Sequence, residues 1–281
     1  MKSAARCVKF LLLSCKLFIC KHQGGGIDPS ERFSSRMENY IKYRPGYPVG
    51  VVETLRDHCG LTPEDSVADV GSGTGLLARA FLDFGCHVYG VEPNADMRAA
   101  GKRLLAHYRR FTSVEGSAES TGLPTASMDY VTAGQAFHWF DPLRARDEFR
   151  RILKPAGWVA LVWNERRLDS TSFLRAYESL LQQYGTDYNQ INHRSVEENP
   201  ETIPVFFGGE YKVARFDNAQ MFGFDGVRGR LESSSYVPEP GHPNYEPMLA
   251  ELQRIFDQYQ QDGVVAIEYD TRMFYGKISG V

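Results

Sequence analysis

The chain has 281 residues, with 32 Lys and Arg against 35 Asp and Glu and a formal net charge of −3 at pH 7. That balance argues against a general nucleic-acid surface, which needs a basic excess, while 42% hydrophobic residues exclude a disordered polymer. The five cysteines form no C-x-x-C pair and no His/Cys ligand spacing, so neither a metal site nor an oxidising compartment is expected.

Residues 1–26 differ from the rest. Lys16 interrupts the apolar run of Phe10 to Leu13 and Leu17 to Ile19, which is too short for a secretory signal or a spanning helix. A weak basic membrane anchor, a tail, and an extension from an early start codon all fit this stretch, and a tail or extension is preferred. Residues 27–281 are expected to form one domain, with a core at 49–167 and a cap plus final strands at 168–281. The expected location is cytoplasmic; the oligomeric state stays open.

From Ile27 to Pro48 the chain is aromatic and basic, with Tyr40, Tyr43, Arg44 and Tyr47. The tyrosines either pack on the following helix or roof a pocket. Arg44, always charged and fork-shaped, suits a carboxylate. Val49 to Cys59 reads as a helix stopped by Gly60. Ser66 to Ala80 then reads as a buried strand, a turn dense in glycine (Gly71, Gly73, Gly75) and a helix with Leu77, Ala80, Phe81 and Phe84 on one face. Backbone N–H groups at such a turn are open to a ligand. A second strand ends at Glu92, where a carboxylate either sits solvated at the strand end or accepts from a ribose diol.

A helix from Asn94 to Tyr108, a strand from Phe111 to Glu115 and a strand from Met128 to Ala133 follow. Arg144 to Leu153 reads as a helix whose arginines form a solvated, salt-bridged face, and Trp158 to Trp163 as the fifth strand. Alternation this regular implies a Rossmann-like, doubly wound and mostly parallel sheet with its ligand at the carboxyl ends of the strands. Past Asn164 the rhythm changes. Helices are expected at Thr171 to Tyr184, Val227 to Tyr236 and Tyr245 to Tyr259, a polar stretch runs to about Pro200, and strands are expected at Tyr211 to Phe216 and Val264 to Ile278.

The motif D-x-G-x-G-x-G from Asp69 through Gly75 resembles the first motif of the class I S-adenosylmethionine-dependent methyltransferases. A dinucleotide fingerprint would need glycine where Leu76 stands. YIKYRPGYP and FRRILKPAGWVALVW resemble the small-molecule, trans-aconitate-type branch of the same family. The resemblance implies a seven-stranded sheet with an antiparallel edge strand and a helical cap insertion. It also implies S-adenosylmethionine as cofactor, held by Asp69, Gly71, Ser72, Gly73, Gly75 and Glu92, by Ala118 and Glu119 beside the adenine, and by Gln135 at the methionine part.

Methyl transfer from a sulfonium is an in-line displacement that depends on positioning and water exclusion. His138 and Trp139 are the candidate catalytic pair, the first as a proton acceptor and the second as a wall for the sulfonium or the substrate; packing at the sheet edge is the alternative for both. Tyr40 and Arg44 are the candidate substrate contacts. The expected activity is methylation of a small-molecule, acidic acceptor. The rival readings are a non-catalytic S-adenosylmethionine-binding module and an NAD-linked oxidoreductase.

Overall fold

The computed structural model describes residues 38, 39, 41–186, 188 and 201–279. The segment 1–26, Tyr40 and most of the polar stretch before Pro200 lie outside the described residues.

The alternating elements are α1 (Gly50–Cys59), β1 (Ser66–Val70), α2 (Leu76–Phe84), β2 (His87–Val91), α3 (Ala95–Leu104), β3 (Phe111–Val114), β4 (Met128–Gly134), α4 (Pro142–Ile152) and β5 (Leu153–Arg166). Local chemistry sets their ends. Gly60 and Gly85 close α1 and α2 in left-handed conformations, at φ 76° and 109°. The Asn94 side chain accepts from the Asp96 and Met97 N–H groups to start α3, and Asp141 with Pro142 starts α4. Expected helices and strands stand where the periodicity put them. Strand β5 begins earlier than expected, because Leu153 already pairs with Met128; Lys154–Gly157 then bulge out, and pairing resumes between Tyr130 and Trp158.

The second half contributes α5 (Ser172–Tyr184), α6 (Thr202–Phe207), β6 (Tyr211–Phe222), α7 (Phe224–Glu232), α8 (Tyr245–Tyr259) and β7 (Val265–Gly276). Helix α6 is additional to the sequence reading, and β6 runs six residues further, to Phe222, than the expected end at Phe216. The expected helix at Val227 to Tyr236 begins and ends earlier, at Phe224 and Glu232.

All seven strands join one sheet in the order β3-β2-β1-β4-β5-β7-β6. Strands β1 to β5 pair in parallel. Strand β7 runs antiparallel to both neighbours, with β6 outermost, so the antiparallel strand of this edge lies one place in from the rim. This is the seven-stranded, mostly parallel Rossmann-like sheet with an antiparallel edge that the sequence led one to expect. Helices cover both faces. Leu55, Leu77 and Phe81 pack with Val67, Val88 and Val162 on one side, and Phe149, Ile152, Phe206 and Phe207 pack with Val131, Leu161 and Phe274 on the other. A third apolar cluster joins α5, α7 and α8 to the start of β7 through Leu174, Leu231, Leu252 and Ile267, and forms the core of the cap. Strand order reverses between β1 and β4, so a crevice opens at their carboxyl ends, where open α/β sheets bind ligands.

Candidate active site

The crevice is the mouth of a cavity of about 1430 Å³, which extends from the glycine turn to the cap. Gly71, Gly73 and Gly75 take φ values of 68°, 55° and 87°, the left-handed region that side chains avoid. They are not equivalent. A Cβ on Gly71 would lie 2.6 Å from the Ala136 Cβ and one on Gly75 would lie 2.4 Å from Leu105, whereas one on Gly73 would meet nothing within 4 Å. The outer two glycines let neighbouring chain pack closely; the middle one faces open space.

Two acids organise the turn. Asp69, 1% exposed, accepts from the Ala78 N–H at 3.0 Å and the Thr132 hydroxyl at 3.1 Å, which ties β1 to α2 and β4. Burial pushes its carboxyl up to about 7, despite those two donors. Glu92 accepts the Gly73 N–H at 2.8 Å through Oε2 and the Asn94 N–H at 2.9 Å through Oε1. It therefore pins the centre of the turn and the start of α3 while bordering the cavity.

Along the crevice, Ser72, Ala118 and Glu119 line the wall; Ala118 is buried, and Glu119 accepts from the Asp141 N–H at 2.9 Å. Gln135 adopts φ 53°, and its side-chain amide is spent on β5: Nε2 donates to the Asn164 carbonyl at 3.1 Å and Oε1 accepts from the Asn164 N–H at 3.2 Å. His138 and Trp139 stand in a single 3-10 turn, Phe137–Trp139, at the cavity wall, and Trp139 is 80% exposed. The surrounding protein lowers the His138 pKa through desolvation. Tyr47 lies over the carboxyl end of β4, since a Cβ on Gly134 would come 2.5 Å from its oxygen, and Arg44 borders the same cavity. This lid segment is fastened by Asn164 and Asn218, both donating to the Gly46 carbonyl, and by Arg44 Nη2 donating to the Ser233 carbonyl at 3.2 Å.

The structure thus gathers Asp69, Gly71, Ser72, Gly73, Glu92, Ala118, Glu119, Gln135, His138, Trp139 and Arg44 around one cavity; Gly75, expected there too, packs against Leu105 instead of lining it, and Tyr40 lies outside the described residues. Sequence reasoning missed Asn164, Arg230, Tyr269 and Arg272 on the cap side. Alternation in the last strand was legible, but which polar residues of the cap face inward depends on how α7 docks against β6 and β7. Among the described residues no group of His, Cys, Asp and Glu side chains is arranged to hold a metal ion. Burial pushes the Cys86 thiol up to about 12 and the Cys59 thiol up to about 11, so both are protonated at neutral pH.

Residues 68–161, from β1 into β5, match the family described as a methyltransferase domain. An uncharacterised methyltransferase of Schizosaccharomyces pombe is 28% identical over 228 residues, 79% of this chain and 86% of its own length. The chain is a methyltransferase that uses S-adenosylmethionine. An uncharacterised methyltransferase of Mycobacterium tuberculosis is 35% identical over 139 residues, so this methyltransferase matches about half of that relative, 54%, with half of its own length, 50%. Its fold is shared with a solved methyltransferase of Anaeromyxobacter dehalogenans, at a TM-score of 0.64 and 22% identity over 84% of this chain and 98% of that one. It is shared too with a Haemonchus contortus phosphoethanolamine N-methyltransferase in complex with S-adenosylhomocysteine, at a TM-score of 0.50 and 18% identity over 87% of this chain and 56% of that one. Among the described residues no helix is long and apolar enough to cross a membrane.

The residues at the turn fit the cofactor. Gly73 leaves space where a side chain would intrude, and Glu92 places a carboxylate at the tip of the second strand on the same cavity wall, the position that suits a ribose diol.

Proposed function

We propose that this enzyme methylates a small molecule bearing an acidic group, with the cofactor in the glycine-turn half of the cavity and the acceptor in the half under the cap. The observation that carries the reading is the cavity itself. At about 1430 Å³ it exceeds the ~300–1,000 Å³ of an ordinary ligand site, enough for a cofactor and a second small molecule. The roof contributed by β7, α7 and the residues after α7 suits a metabolite better than a macromolecular chain. The likeness of YIKYRPGYP to the small-molecule branch of the family supports the same size class, and the Arg44 guanidinium on the cavity wall supports an anionic one.

When bound, S-adenosylmethionine supplies a methyl group already activated on a sulfonium. Glu92 would hold its ribose, Ser72 and the glycine backbone its amino-acid part, and Ala118 and Glu119 its adenine; Gln135, its amide spent on Asn164, would contribute to the amino-acid part through its backbone only. Asp69 acts at one remove, by fixing the ends of β1, β4 and α2. The protein's remaining tasks are alignment and exclusion of water. His138, whose pKa desolvation shifts toward the neutral imidazole, takes the proton of an acceptor that carries one, and Trp139 closes the outer wall.

The test is transfer of labelled methyl from S-adenosylmethionine to a cell extract fractionated by size and charge. Label is expected in the small anionic fraction and to depend on the enzyme. Label confined to protein or RNA overturns the reading.

A further inference from the structure

Arg230, on α7, is 6% exposed and borders the cap half of the cavity. Its guanidinium is held by neutral groups alone. Nε donates to the Tyr269 hydroxyl at 3.2 Å, and Nη1 donates to the Ser234 hydroxyl at 3.2 Å and, more distantly, to that of Ser233 at 3.5 Å. Among the described residues no carboxylate is within ion-pair reach of it, and Nη2 has no hydrogen-bond partner. Glu232, on the same helix, is engaged by Arg228 and by the Tyr245 hydroxyl.

Three other guanidiniums of the cavity, those of Arg166, Arg167 and Arg272, differ in this respect. Arg166 is matched by Glu178 at 2.5 Å and receives the Tyr188 hydroxyl as an acceptor. Arg167 is matched by Asp270, Asp217 and Glu268, and Arg272 by Glu165.

A buried charge without a counter-charge is costly, and arginine has no neutral form to retreat to. Packing gives no reason for it, since an unbranched apolar side chain would fill the same space at lower cost. The site is also built rather than incidental: the Tyr269 hydroxyl that accepts from Arg230 donates in turn to Gln220 Oε1 at 2.9 Å, and Gln220 Nε2 donates to the Tyr43 carbonyl at 3.2 Å. That chain orients the fork from the lid segment through β6 and β7.

We propose that Arg230 is the anchor for a carboxylate of the methyl acceptor, seated between the cap and the carboxyl end of the sheet. The inference rests on the acceptor reading given above and adds to it the group recognised and the residue that recognises it. The charge balance selects the anion. Among the described residues the Arg230 guanidinium has no counter-charge, and one carboxylate supplies it; a phosphate monoester, at roughly −1.5 to −2 near neutral pH, brings more negative charge than that one guanidinium takes up. The bond is a pair of charge-assisted N–H···O contacts from the guanidinium fork, and it is an anchor whichever acceptor atom receives the methyl group.

The experiment is calorimetric titration of the full chain, with and without saturating S-adenosylhomocysteine. Acetate, succinate and benzoate serve as carboxylate probes, succinamide as the uncharged control, and inorganic phosphate and methyl phosphate as the other anion. At least one carboxylate is expected to bind at least tenfold more tightly than succinamide and more tightly than either phosphate. Arg230→Met is expected to lose that binding at least tenfold, with the S-adenosylhomocysteine affinity unchanged within threefold. Should the Met variant fail to fold, Tyr269→Phe, which removes one orienting acceptor, is expected to weaken the carboxylate three- to tenfold with the same unchanged cofactor affinity. Equal binding of succinate and succinamide, tighter binding of phosphate, or carboxylate affinity that survives Arg230→Met overturns the assignment. Failure of S-adenosylhomocysteine to bind would count against the cofactor half of the reading instead, and the titrations without it still decide the role of Arg230.

Discussion

The Glu92 carboxylate accepts the N–H of Gly73 at 2.8 Å, so the acid expected to meet the cofactor also holds the turn that faces it. Glu92→Ala removes the acceptor of Gly73 and of Asn94 together with the proposed partner of the ribose. Cofactor affinity should fall by about 1–3 kcal/mol, and calorimetry with S-adenosylhomocysteine measures it. Glu92→Gln separates the two roles. Its amide oxygen still accepts one backbone N–H, so thermal stability should recover more of the wild-type value than affinity does. Unchanged affinity in both variants removes Glu92 from the cofactor site.

Asp69 carries a pH signature with a definite sign. Burial raises its carboxyl to about 7 against roughly 3.9 in an unfolded chain, so between those values the folded state binds the extra proton. Its contribution to stability is therefore full below about pH 4 and is lost as pH rises through 7, by at most about 4 kcal/mol. Asp69→Asn keeps an oxygen for the Ala78 N–H or the Thr132 hydroxyl and deletes the titration. Urea denaturation from pH 5 to 8 should show the wild type losing stability relative to Asp69→Asn. Parallel curves for the two proteins would falsify the raised pKa.

The order of strands and helices through Trp163 was legible because each element carries its own period, and the glycine turn because its backbone requires those residues. Strand β6 was read as ending at Phe216, yet its burial alternates without a break from Val213 to Phe222; the polar members Asp217, Asn218 and Gln220 hid that continuation. Helix α6 contains Pro204 within six residues, a breaker signal that masked the apolar Ile203, Phe206 and Phe207 packed under the sheet. Arg230 had no local signal, since an arginine two residues after Arg228 in a short polar helix reads as a solvated charge. Only the docking of α7 against β6 and β7 buries it. The opposite holds at Arg166 and Arg167, which border the cavity but have their charges matched by acids from α5, β6 and β7.

His138 gives a kinetic test. Desolvation lowers its pKa below the ordinary histidine value, so it is neutral and able to accept a proton through the neutral range. For an acceptor whose nucleophile carries a proton, kcat should rise along an acid limb whose midpoint lies below that of an ordinary histidine. His138→Gln should abolish the limb and lower kcat by roughly 10²-fold. A flat profile in the wild type, or a variant within threefold of it, assigns His138 to packing. Trp139→Ala serves as control for the fold, since at 80% exposure its loss should change stability by less than about 0.5 kcal/mol.

The glycines of the turn can be separated by what a methyl group meets. At Gly75 the added Cβ would lie 2.4 Å from Leu105 at φ 87°, so Gly75→Ala must displace a buried leucine while holding a left-handed backbone. A loss of about 2–4 kcal/mol in unfolding free energy is expected from overpacking and the backbone conformation combined. At Gly73 the backbone conformation costs about 1–2 kcal/mol, but nothing stands within 4 Å of the added carbon, so Gly73→Ala should remain folded. Its methyl would occupy the space left for the cofactor, and S-adenosylhomocysteine affinity should drop at least tenfold in a protein of near-native stability. Denaturation and calorimetry on the two variants check the contrast. If Gly73→Ala binds the cofactor as the wild type does, the open face of the turn is not where the cofactor lies.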